Sequence, residues 1–206
     1  MNVQYGCGTE APEAWENFDV SLTLRIQKIP ALGKLLTRNH VHFSPDVHYG
    51  DIVKGLPVKK GSCDRVYCSH VLEHLALNDC RVALRNTFEM LKANGVFRLV
   101  VPDFEYAVGE YINDRSGTAI LSFFENTWLG QDVRFQGVNG LLIHCFSNSR
   151  RHLWMWDYKG LKRELESVGF TQIRRATFND STNVQFQAVE SKAKWENALG
   201  IECVKP

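Results

Sequence analysis

The chain has 206 residues, the length of one domain, since a domain typically takes roughly 100 to 200 residues. Hydrophobic residues make up 44% and charged residues 23% of it, the composition of a globular chain that buries about 70% of its unfolded surface. Twenty-four Lys and Arg against 23 Asp and Glu leave a net charge of +1, which supplies no broad positive field for nucleic acid. The opening MNVQYGCGTEAPEAW has no basic segment followed by an apolar run. No apolar stretch approaches the about 20 residues of a membrane span. A cytoplasmic location without membrane or nucleic-acid partners is therefore expected. Cys7, Cys63, Cys68, Cys80, Cys145 and Cys203 are scattered without a CxxC pair and read as free thiols, not as zinc ligands or a disulfide scaffold.

Apolar runs of strand length fall at 3–5, 18–22, 47–50, 66–68, 95–101, 171–178 and 184–189, with helical patterns between them. This alternation predicts an α/β sheet. GVFRLVVP is apolar on both alternating faces except at Arg98, as in a central strand covered on both sides. Over 78–92, Cys80, Leu84, Thr87, Phe88 and Leu91 repeat at helical spacing, with Asn78 as N-cap and Asn94-Gly95 as the stop. The stretch 105–156 breaks the rhythm. It carries Tyr106, Tyr111, Phe123, Phe124, Trp128, Phe135, Phe146, Trp154 and Trp156 without a clean strand, which predicts a helical excursion, either a substrate cap or a structural elaboration. A helix follows over 158–168, with Asp157 as N-cap, Leu161, Leu165 and Val168 on one face and Gly169 as a left-handed C-cap.

In NVQYGCGTE a strand runs into a turn where Gly6 and Gly8 permit backbone angles that a Cβ would block. Through Ala11 the segment satisfies the loose dinucleotide pattern G-x-G-x-x-A. Glu10 and Glu13 beside the turn disfavour a phosphate there, and a plain strand-to-helix turn stands as the alternative. Asp19 ends the next strand, where a carboxylate accepts hydrogen bonds from ribose hydroxyls. Gly8 and Asp19 are only 19 − 8 = 11 positions apart, against about 20 in the dinucleotide fingerprint. The first crossover helix is therefore predicted to shrink to one turn starting at Pro12. Asp51 follows the third strand and SHVLEHL the fourth.

Taken in order, YGCGTE, WENFD, GDIVKGLP, DRVYCSHVLEHL and MLKANGVFRLVVPD resemble the motif series of class I S-adenosylmethionine-dependent methyltransferases. The resemblance is strongest to a small bacterial group with GCG followed by a short Trp-x-Asn-x-Asp segment, and WMWDYKGLKRELESVGFTQIRRATFNDS resembles those proteins too. It implies a Rossmann-like, seven-stranded, mostly parallel sheet with helices on both faces and an antiparallel last strand, placed at 184–189. Carried over, Tyr5, Gly6, Cys7 and Gly8 approach the methionine part of S-adenosylmethionine, Asp19 takes its ribose, Asp51 and Ile52 meet its adenine, and Ser69 and His70 lie near its methyl. The chain departs from the family where an acidic residue near the start of the first strand is replaced by Asn2 and Gln4 nearby, and where LKANG stands for the commoner Lys-Pro-Gly-Gly turn.

Methyl transfer from a sulfonium gains mainly from positioning, and a hydroxyl acceptor also needs its proton removed. The candidate catalytic residues are His70, His144 and His152, with Asp103 at the carboxyl end of the fifth strand as an orienting group. His74 reads as a packed helix-start residue. A metal bound by His70, Glu73 and His74 is not expected, because the three are too close in sequence to converge from one helix face. Arg150 and Arg151 beside Trp154 and Trp156 suit an anionic or ring-bearing substrate, or form a plain basic turn. The reading is a single-domain cytoplasmic methyltransferase, 105–156 being its cap, that O-methylates a small-molecule or carbohydrate-like acceptor. Two alternatives are a non-catalytic holder of the cofactor and a nicotinamide-dependent oxidoreductase.

Overall fold

The computed structural model describes residues 1–29, 42–130 and 151–206. Seven strands form one sheet: β1 (Asn2–Tyr5), β2 (Glu16–Asp19), β3 (Val47–Tyr49), β4 (Cys63–Ser69), β5 (Leu91–Pro102), β6 (Thr171–Ala176) and β7 (Ala198–Val204), in the order β3-β2-β1-β4-β5-β7-β6. β1 to β5 run parallel, with the short helix α1 (Leu22–Gln27) following β2, and β7 lies antiparallel to both β5 and β6. The last strand is thus antiparallel as expected, but its place in the chain is corrected. Val184–Ala188 is a 3₁₀ turn and ALGIECV makes the strand. In the turn Phe186 and Val189 are buried while Val184 is exposed, a spacing of three that suits a helical turn and not an alternating strand.

The alternation along β5 separates two cores. Phe97, Leu99 and Val101 join the main core with Leu84 of α2 (Leu77–Met90) and Leu161 and Leu165 of α5 (Tyr158–Val168). Val100 on the opposite face packs with Tyr67, Trp15, Phe186 and Val189. The first crossover contains no helix: a turn closed by Trp15 N–H donating to the Pro12 carbonyl (3.1 Å) leads directly to β2. Trp15, whose ring centre lies 5.6 Å from that of Phe186, packs into the second core at the end of this turn. α2 starts at Leu77, one residue before the expected cap at Asn78, and its final carbonyls are closed by Lys205, whose Nζ donates to Phe88 O (2.8 Å) and Leu91 O (2.7 Å). α5 is built as expected: Asp157 accepts the Gly160 N–H at 2.8 Å and Gly169 turns left-handed at φ 111°. Of the cysteines, the five described ones are free and buried.

Arg98 faces the second core with its side chain wholly buried. Nε donates to Glu190, which is equally buried; Nη1 reaches Asp180 (3.0 Å) and Glu202 (3.1 Å), and Nη2 the Thr177 carbonyl (2.7 Å). The guanidinium carbon also lies 4.7 Å from the centre of the Trp195 ring. This cation pins the segment between β6 and β7 onto the sheet. Burial alone would raise the Asp180 pKa, but Arg174, the Thr177 backbone and Arg98 outweigh it and hold the carboxyl at about 2. A folded-state pKa below the unfolded value gives stability that is present above pH ~4 and lost as pH falls through about 2. Urea titrations between pH 5 and 2 are expected to show this loss, with a shallower pH slope for Asp180→Asn. An unchanged slope in that variant removes Asp180 as its cause.

Candidate functional site

The carboxyl ends of β1, β2, β3 and β4 converge, as ligand sites of open α/β sheets do. At the end of β1, Gly6 and Gly8 take φ of 68° and 59°. A Cβ on Gly6 would stand 2.2 Å from Val71 Cγ2, so this glycine serves the packing of the turn after β4. A Cβ on Gly8 would meet nothing within 4 Å and would project into open space ahead of the turn. Asp19 closes the turn from β2, with Oδ2 accepting the Gly8 N–H (2.9 Å) and Oδ1 the Ser21 N–H (2.8 Å). Each carboxylate oxygen keeps a further acceptor position. Gln4 Nε2 donates to Glu10 O (2.6 Å) and Asn17 Oδ1 (2.7 Å), so Gln4 locks the same turn from inside β1.

The other residues implied by the resemblance differ in what they present. Tyr5 points into the main core, its hydroxyl 3.1 Å from Thr87 Oγ1, and can reach a ligand only through its backbone. Cys7 packs with Leu24, Phe43 and Val47, and burial followed by the Asp19 carboxylate pushes its thiol up to about 12. It stays protonated at neutral pH. Asp51 forms a local turn by accepting the Val53 N–H at 3.0 Å, and the side chain of Ile52 belongs to the main core. Ser69 ends β4 in a buried position. The open space before Gly8 and the free acceptor positions of Asp19 fit S-adenosylmethionine at this edge of the sheet.

His70 adopts φ 54°, a conformation that costs a non-glycine residue about 1 to 3 kcal/mol. Two contacts hold it there: its N–H donates to Val100 O (2.9 Å), and its ring Nε2 donates to Lys194 O (2.9 Å). Its Nδ1 lies 3.1 Å from Glu73 Oε1. Burial pulls the His70 pKa down, but the Glu73 carboxylate and the Lys194 carbonyl outweigh it, and the pKa is raised. Held by Lys194 O at Nε2 and with the Glu73 carboxylate beside Nδ1, His70 favours the imidazolium and is a poor base.

Glu73 and His74 lie in the 3₁₀ turn Leu72–His74, with Glu73 fully buried. Three bonds lay the chain after 150 across this turn: Leu153 N–H and Trp154 N–H donate to Glu73 O (2.7 and 3.1 Å), and His74 Nδ1 donates to Arg151 O (2.9 Å). His152 is thereby set against His74, ring centres 5.0 Å apart, with Trp128 stacked at 6.1 Å. Burial lowers the His152 pKa; Glu73 opposes the shift and His74 adds to it. His152 is therefore neutral at neutral pH. The burial of Glu73 and the pairing of His74 with His152 were missed by the sequence reading, which took His74 for a packing residue.

His70, Glu73, His74 and His152 border a cavity of about 460 Å³ that also touches Asn126, Glu196 and Asn197. A second cavity of about 700 Å³ lies between α3 (Phe104–Asn113) and α4 (Ala119–Asn126) and shares Pro102, Asn126 and Asn197 with the first. Asp103 lines this second cavity, but it also caps α3 by accepting the Glu105 N–H (2.9 Å) and lies 3.6 Å from Arg175 Nη1. His144 and Arg150 lie outside the described residues. Arg151 Nη2 reaches the Leu129 carbonyl at 3.4 Å. Among the described residues no helix is long and apolar enough to cross a membrane.

The family model described as a methyltransferase domain matches residues 5–174. An S-adenosylmethionine-dependent methyltransferase of Thermotoga maritima, described as a possible histamine N-methyltransferase, is similar at a TM-score of 0.53 and 14% identity, over 100% of this chain and 82% of that one. A methyltransferase of the same cofactor class from Archaeoglobus fulgidus gives 0.50 and 15%, over 99% of this chain and 85% of its own. Phosphoethanolamine N-methyltransferase 2 of Haemonchus contortus, in complex with S-adenosyl-L-methionine, gives 0.50 and 12%, over 100% and 48%. At these identities the likeness shows the fold. Comparison with curated proteins gives no match.

Proposed function

We propose, from the premise that the chain belongs to the methyltransferase-domain family, that this S-adenosylmethionine-dependent enzyme methylates a hydroxyl of a small or carbohydrate-like acceptor. The observation that carries the reading is the placement of Glu73, His74 and His152 on a cavity continuous in its lining with the space between α3 and α4. In that space Tyr106, Tyr111 and Phe123 stand among Asp103, Glu110, Asn113 and Asp114. Such a mixture of rings and hydrogen-bonding groups suits a polyhydroxylated molecule. The excursion over 105–156 then acts as the acceptor's cap.

When bound, S-adenosylmethionine supplies a sulfonium methyl already activated for displacement, so the catalytic burden falls on holding the acceptor in line. Gly6, Cys7 and Gly8 hold the methionine part through their backbone, and Asp19 and Asp51 take ribose and adenine. Glu73, His74 and His152 act together on the acceptor hydroxyl, which must lose its proton as its oxygen forms the new bond. His70, anchored to Lys194 O, orients Glu73.

Two measurements test this. S-adenosylmethionine at about 100 times its dissociation constant is expected to stabilise the protein by about 2.7 kcal/mol, and Asp19→Ala to weaken cofactor binding by about 1.5 to 3 kcal/mol without unfolding the chain. Unchanged affinity in a folded Asp19→Ala variant removes the ribose assignment. For the acceptor, S-adenosylhomocysteine formation is followed over a panel of alcohols, phenols and sugars against amines of matching size. Turnover confined to the amines overturns O-methylation.

A further inference from the structure

We infer that Glu73, His74 and His152 form a binding site for a divalent transition-metal ion of zinc-like ligand preference, open on one side to the acceptor cavity. One ligand atom from each residue lies within 4.8 Å of the other two. Zinc-to-ligand distances of about 2.0 to 2.2 Å ask these atoms to close by on the order of 1 Å, within the range of side-chain rotation. The expectation of no metal rested on the short spacing of residues 70 to 74. The third ligand instead comes from His152, 152 − 74 = 78 positions further along.

Each ligand has the right free atom. The Glu73 side chain is 1% exposed, and among the described residues neither of its oxygens accepts a well-directed hydrogen bond; His70 Nδ1, 3.1 Å from Oε1, is its ionic neighbour and leaves Oε2 open. A buried carboxylate in that condition is costly unless a cation completes it. His74 Nδ1 faces the Arg151 carbonyl, which can only accept, so Nδ1 carries the proton and Nε2 keeps its lone pair. A backbone carbonyl orienting the far nitrogen is the usual outer partner of a metal-bound histidine. The buried Nδ1 of His152 has no well-directed partner among the described residues. Two imidazoles and one carboxylate with open positions are the ligand set of hydrolytic zinc sites, and the imidazoles disfavour magnesium and calcium.

The use of the ion rests on the methyltransferase reading, whereas its binding does not. An acceptor hydroxyl entering an open coordination position is acidified; it releases its proton to water at the cavity mouth and bonds through oxygen to the transferred methyl carbon, whose bond to sulfur breaks with the electron pair retained by sulfur.

The test uses the full chain stripped with a chelator, titrated with Zn²⁺ in a calorimeter and with Co²⁺ followed by visible absorption. One ion per chain is expected, with cobalt bands of a nitrogen and oxygen site, and binding weaker by about 100-fold or more in Glu73→Gln and in His152→Ala. Should Glu73→Gln fail to fold, His152→Ala decides. The inference is overturned by no binding to a natively folded chain, by a thiolate-to-cobalt charge-transfer band, or by affinities within about threefold of the unsubstituted protein in the folded variants. A thermal shift with S-adenosylmethionine, run in parallel, separates the two readings. A shift without zinc binding removes the metal site alone, and zinc binding without a shift leaves the ion but removes the cofactor assignment.

Discussion

Replacing Arg98 by alanine is expected to lower folding stability by about 3 to 5 kcal/mol, the cost of leaving a buried charge without its partner. The stranded group is Glu190, whose carboxylate is as buried as the guanidinium it meets, and Glu202 is nearly so. The substitution also removes the cation over Trp195 and the bond to Thr177 O. Combining Arg98→Met with Glu190→Gln is expected to recover a large part of the loss, because it withdraws both charges and keeps the volume. Urea unfolding checks both. A cost below about 1 kcal/mol for Arg98→Ala would mean that water reaches the cluster, as it does exposed pairs. The effect reaches the site, since the segment tethered by Arg98 carries the Lys194 carbonyl that holds His70, and Asn197 of the cavity wall.

His152→Ala is expected to lower turnover of the acceptor by about 10² or more while leaving S-adenosylmethionine affinity nearly unchanged. The expectation follows from position: His152 lines the cavity of about 460 Å³ proposed for the acceptor and touches His74 and Trp128, and none of its described contacts is with the GCG turn or Asp19. Initial rates of S-adenosylhomocysteine formation with a responsive acceptor, beside calorimetry of the cofactor, make the measurement. A rise in KM with kcat retained would reduce His152 to a cavity wall. Unchanged rates would move deprotonation elsewhere, with His144 next to be substituted.

The half of the protein before residue 103 was readable because its signals are local. Glycine at positive φ, a carboxylate at a strand end and apolar alternation act within one or two turns of chain, and Gly6, Gly8 and Asp19 stand where those signals put them. The helix over Tyr158–Val168 was equally legible, since Asp157 and Gly169 close it with their own atoms. The last strand was misplaced because VQFQAV and ALGIECV both carry apolar residues, and the choice between them depends on which one pairs with β5. That pairing, Val96 with Val204 through Pro102 with Ala198, is a long-range one.

What the sequence by itself determined is the fold class, the family resemblance and the residues that close the turn after β1, all of which follow from neighbours along the chain. Only the tertiary structure decided the environment of the charged and titratable groups. Arg98 is a lone polar residue in an apolar strand until Asp180, Glu190 and Glu202 surround it. Glu73 and His74 are ordinary turn residues until the chain after 150 lies across them and sets His152 beside them. The physical reason is that periodicity and capping are set by contacts a few residues apart, whereas desolvation and charge pairing depend on which distant segments exclude water together.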